Sequence, residues 1–147
     1  MRALLLFAVF VSAVPDRQDP EVKGAKPLKE QLLGEWVSVK HIVDGVEDKN
    51  HLGSTITFTP TEILIREKDR RGPNEDATYV LDAAKKPASI DIVIKIDPTK
   101  KIAGIVKVDG DQLTLCFPQD GQGPRPAEFV SSPKTGIALV QLKRVKK

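Results

Sequence analysis

Cysteine is almost missing: Cys116 is the single one in 147 residues. Its solitude excludes an intramolecular disulfide and any zinc pattern built on paired cysteines, so the fold has to be held by packing. Its setting, Leu113-Thr114-Leu115-Cys116-Phe117, reads as a strand in which a buried thiol serves as a small hydrophobe. Histidine is nearly as scarce. His41 and His51 fit no Cys-His or His-x-x-His spacing, so no metal site is assigned and no cofactor is called. His41 falls in the first strand and His51 in a loop with Asp44, Glu47 and Asp48; an approach of the two rings to one acid stays as an alternative to rim histidines. Aromatic residues make up 5% of the chain and the formal net charge is +3, which denies nucleic acid both stacking platforms and a strong field. The basic groups Arg66, Lys68, Arg70, Arg71 and Lys143, Arg144, Lys146, Lys147 therefore read as solvated strand ends and a tail.

Catalytic signatures are absent as well. No glycine-rich phosphate loop occurs, Ser54, Ser131 and Ser132 lack a nucleophile-elbow context, and Asp97, Asp109 and Asp111 lack calcium-loop spacing. Ser38 and His41 share a strand, but regular β geometry sends them to opposite faces. No catalytic residue is assigned, and the chain reads as a non-enzyme.

Long hydrophobic runs are confined to the N-terminus. Arg2, the apolar stretch Ala3 to Val11 and the small residues of Val11-Ser12-Ala13 make a signal peptide over 1–13, cut after Ala13. The run is too short to cross a bilayer of about 30 Å as a helix. An uncut anchor or a buried N-terminal segment is the alternative. Export to the periplasm, cell envelope or exterior follows, with no membrane span in the mature protein. Residues 14–26, charged and broken by proline, read as a flexible leader, and 27–147 as one domain.

Within that domain strand signals dominate. Pro27 to Gly34 predicts a short helix with Leu28, Leu32 and Leu33 on its apolar side. Strands are expected over Trp36–Val43, Thr55–Thr59, Thr61–Glu67, Ala77–Leu81, Ile90–Ile96, Ile102–Val108, Gln112–Phe117 and Ile137–Arg144, with a short addition at Glu128-Phe129. Asp44-Gly45 and Asp109-Gly110 are hairpin signals, and Gly72-Pro73-Asn74 marks another tip. Prolines and glycines crowd Pro118 to Pro126 into a loop. The expectation is all-β: an antiparallel barrel of about eight strands behind a short N-terminal helix, with a two-layer sandwich as the alternative.

Gly34-Glu35-Trp36, opening the first strand just after the helix, resembles the start of lipocalin-like domains. Lys85-Lys86-Pro87-Ala88-Ser89-Ile90-Asp91-Ile92, Gly104-Ile105, Asp109-Gly110-Asp111-Gln112-Leu113-Thr114-Leu115-Cys116-Phe117 and Arg125-Pro126-Ala127-Glu128-Phe129 extend the likeness. Together they resemble the lipocalin-like domain family abundant in exported planctomycete proteins, over roughly Leu32 to Arg144. Ile105-Val106 departs from the pattern where many members carry an aromatic ring. The resemblance implies the barrel and export, and no particular ligand or reaction. It also implies that Trp36 closes one barrel end, with Arg144 of the last strand over its ring or else solvated. His51, together with Arg125 between Pro124 and Pro126, is the candidate contact for a ligand or partner. The functional expectation is a non-catalytic binding module for a small apolar or amphipathic ligand; the alternative is a structural or protein-interaction module of the cell envelope.

Overall fold

In the computed structural model, residues 26–68, 75–121 and 123–146 are described. The segments expected to be a signal peptide and, nearly all of it, a leader, and the expected Gly72-Pro73-Asn74 tip, lie outside the described residues. Pro27 precedes a single-turn helix, α1 (Leu28–Leu32), which ends against Leu33 and Gly34. The rest is sheet: β1 (Gly34–Val43), β2 (Val46–Glu47), β3 (Thr55–Phe58), β4 (Glu62–Arg66), β5 (Ala77–Asp82), β6 (Ser89–Ile94), β7 (Lys101–Asp109), β8 (Gln112–Pro118) and β9 (Ile137–Arg144).

Each strand pairs antiparallel with its neighbour, in the order β2-β1-β3-β4-β5-β6-β7-β8-β9, and β1 pairs also with β9. That last pairing closes an eight-stranded barrel, with two-residue β2 as a short flap beyond the ring. The chain thus has an all-β, lipocalin-like architecture with a short N-terminal helix. Closure removes the unpaired edges that an open sheet or sandwich of the same strands would carry.

The inner face follows the alternation of the strands. Ile90, Ile92 and Ile94 of β6 point inward, as do Ala77 and Tyr79 of β5, Leu113 and Leu115 of β8, and Val140 and Leu142 of β9. β7 contributes Val106, while Gly104 packs so closely on β8 that an added Cβ would lie 2.9 Å from the Cys116 carbonyl oxygen. Asp44 at φ 53 and Gly45 at φ 78 turn β1 into β2, the paired positive angles of a two-residue hairpin loop.

A second, smaller apolar layer lies outside the barrel. Ile105 and Cys116 are cross-strand partners, both buried but not part of the inner cluster. The segment between β8 and β9 covers them: the Cys116 thiol points at the carbonyl oxygens of Glu128 and Val130, at 3.5 and 3.8 Å. The short strand expected at Glu128-Phe129 does not form; these residues make a bend that spends its carbonyl on Cys116. Arg125 pins the same segment by donating to the carbonyls of Ile90 and Gly104 and to Asp91. Burial of Cys116 raises its pKa and keeps it a thiol.

Candidate functional site

The two barrel ends differ. At one, Trp36 is fully buried and its indole N–H donates to the Leu32 carbonyl at 2.8 Å, fixing α1 across the opening. The Arg144 guanidinium lies 4.2 Å from the Trp36 ring centre and donates to the carbonyls of Gln31 and Leu33. Those carbonyls belong to the C-terminal turn of α1, where a cation is favoured. Phe58 and Tyr79 meet edge to face beside them, and the Tyr79 hydroxyl donates to Thr59. This end is plugged by side chains.

Beyond the plug lies a cavity of about 250 Å³. Its walls are apolar: Ile56, Phe58, Ile63, Ile92, Leu115 and Val140 are among them. Its polar lining comes from Ser38, His41, His51, Ser54, Glu67, Glu75 and Gln119. The surface of the cavity is therefore amphipathic.

Ser38 and His41 both face inward, which corrects the opposite-face expectation. Pairing with β9 runs in register through Ser38–Leu142 and resumes at Lys40–Gln141, leaving Val39 as an extra residue. This β-bulge flips the parity of the strand. Val39 and Lys40 are exposed, while Ser38 and His41 are buried. On its other side the Ser38 amide donates to the Ser54 carbonyl at 2.8 Å, extending the β1–β3 pairing.

The β1–β2 hairpin then returns the chain. Asp48 donates its amide to the His41 carbonyl at 2.7 Å, and its carboxylate accepts from the Asn50 amide at 2.9 Å. That contact caps a 3-10 turn, Lys49–His51, whose last residue swings back over β1. His51 Nδ1 lies 3.1 Å from Asp48 Oδ2, and His51 Nε2 lies 3.5 Å from Glu67 Oε2. The rings of His41 and His51 stand 4.7 Å apart between centres. Thus the sequence placed His41 and His51 on separate elements, and the fold brings them to one wall of the cavity.

Two side-chain atoms here have no hydrogen-bond partner among the described residues, Ser38 Oγ and His41 Nε2. Burial depresses the His41 pKa, reinforced by the neighbouring His51; Asp48 and a hydrogen bond with Gln119 oppose the shift without reversing it. The Asp48 carboxyl is depressed chiefly by its bond from Asn50, so it stays ionised.

Of the residues singled out by sequence, His51 lines the cavity, while Trp36 and Arg144 lie at the plugged end. Arg125 lies elsewhere. It lines a shallow outer groove with Lys86, Pro87 and Ile105, and its guanidinium is spent on the loop clamp. Ser38, Glu67, Glu75 and Gln119 were not singled out as cavity-lining residues by sequence reading. Comparison of the chain with protein families, curated proteins and solved structures gives no match. Among the described residues no helix is long and apolar enough to cross a membrane.

Proposed function

We propose that the domain is an exported, non-catalytic binding module that takes a small amphipathic molecule into its barrel. The cavity carries this reading: about 250 Å³ with mostly isoleucine, leucine, valine and phenylalanine walls and a polar wall at His41, His51 and Gln119. It lies a little below the size of pockets for drug-sized ligands, which favours a compact guest. The apolar body would be buried against Ile92 and Val140, and its polar end would meet the neutral His41. Export is supported by the N-terminal pattern of Arg2 and the apolar run to Val11.

A non-catalytic role is supported by the state of the polar wall. Among the described residues Ser38 Oγ has no hydrogen-bond partner, and no base engages it as a nucleophile. The alternative, an envelope interaction module, would use an exposed edge or apolar patch. Among the described residues, barrel closure leaves the two-residue β2 as the protruding edge, and the exposed large hydrophobics Val39, Val46, Val80, Ile96 and Val130 sit on separate elements.

Native mass spectrometry of the protein recovered from its natural compartment tests the reading. A reproducible small-molecule adduct is expected, reduced about tenfold or more by Val140→Phe, which adds a ring to the cavity wall. Adduct-free protein that instead holds a stoichiometric protein partner defeats the proposal and favours the alternative.

A further inference from the structure

We infer that His41, His51 and Asp48 form a binding site for a divalent transition-metal ion of the zinc class. One ligand atom from each of the three lies within 4.8 Å of the others. Tetrahedral coordination with bonds of about 2.0 Å needs ligand atoms about 3.3 Å apart, so side-chain rotation of roughly an ångström completes the set. Asp48 Oδ2 and His51 Nδ1, at 3.1 Å, already have that spacing.

A second observation points to a missing ligand. His41 is 8% exposed, and its buried Nε2 has no hydrogen-bond partner among the described residues. An unpaired polar atom in an apolar interior costs about 1–3 kcal/mol, and natural interiors keep few of them. A cation shared with His51 and Asp48 supplies the partner. The Asn50 amide holds Asp48 Oδ1 and so orients that ligand.

The donor set selects the ion class. Two imidazoles and one carboxylate suit zinc, copper or nickel, whereas calcium and magnesium prefer oxygen ligands alone. Cys116 cannot join, since it faces the outer layer beneath Glu128 and Val130. Three protein ligands leave a fourth position for water or a guest molecule, while Glu67, whose Oε2 lies 3.5 Å from His51 Nε2, would hold the ring nitrogen turned away from the ion. The site does not depend on the cavity taking an organic guest.

Cobalt(II) is the probe, because its visible bands report ligand type and geometry. The full chain, stripped by chelator and titrated with Co2+ alone, is expected to bind one ion with nitrogen and oxygen d–d bands, displaced by Zn2+. His41→Gln and His51→Gln should each weaken binding by about 100-fold or more, beyond the loss typical of an outer-shell change. Asp48→Asn should weaken it by at least about tenfold, while Asp97→Asn and Cys116→Ser leave it unchanged. Circular dichroism checks each variant; should His41→Gln misfold, His51→Gln at the half-exposed rim carries the test. No binding, a thiolate charge-transfer band, or a double histidine variant that keeps the parent affinity overturns the inference.

Discussion

Replacing Arg144 by methionine probes the plugged end most directly. The substitution keeps much of the aliphatic stem and removes the guanidinium 4.2 Å from the Trp36 ring centre. A partly desolvated stack of this kind contributes about 1 kcal/mol. The bonds to the Gln31 and Leu33 carbonyls, at 2.8 and 3.2 Å, are charge-assisted. Water reaches the vacated carbonyls because the Arg144 side chain is 29% exposed, which lowers each loss to about 1 kcal/mol. The 3.4 Å ion pair with Asp111 lies at the surface and contributes no more than a few tenths. The expected loss is therefore about 3 kcal/mol. Arg144→Lys should recover the charge without the fork and lose about 2 kcal/mol. Equilibrium unfolding in guanidinium chloride measures both. Trp36 is the chain's single tryptophan, so its fluorescence reads this end alone, and a red shift of the native emission is expected. A loss under about 0.5 kcal/mol with unchanged emission would falsify the assigned packing.

Further expectations concern the cavity wall and the outer layer. Ser38→Ala removes a buried hydroxyl without a partner and should leave stability unchanged or raise it by about 1 kcal/mol, whereas a clear loss in urea unfolding would reveal a missed partner. In chelator-treated protein the His41 ring should titrate below its ordinary 6.5, as read by imidazole NMR. The unfolded chain then binds more protons than the native one between the depressed value and 6.5, so unfolding free energy should fall as pH drops through that window. A flat profile there contradicts the burial of the ring. Cys116 should resist Ellman's reagent in native protein and react fully after denaturation; rapid native labelling would mean that the Glu128–Val130 cover is open.

Much of the barrel was legible because its signals are local. The isoleucines of β6 alternate with Asp91 and Val93, and Asp109-Gly110 sits between two such runs. The expected span to Ile96 shortened to Ile94, since Asp97-Pro98-Thr99 turns the chain through bonds to Asp97. The cavity was less legible. The bulge at Val39 has no glycine or proline to announce it, being set by the register between β1 and β9. One uncounted residue moved Ser38 and His41 onto a common face. Asp48-Lys49-Asn50 did carry a cue, an acid two residues before the amide it caps, which curls His51 toward β1. The clamp made by Arg125 was not legible in sequence, because its acceptors, the carbonyls of Ile90 and Gly104, lie on distant strands.

The seam between β1 and β9 has a consequence for how the chain is made. One edge of the first long strand pairs early with β2 and β3, but its other edge finds a partner only when the last strand has emerged, through contacts such as Trp36–Arg144 and His41–Val140. Until then β1 and β8 are both raw edges, open to pairing with another chain. Contacts this distant in sequence carry a large loop-closure cost and form late. A nascent chain therefore stays unlatched to its C-terminus, and loss of β9 leaves two sticky borders instead of a slightly smaller barrel.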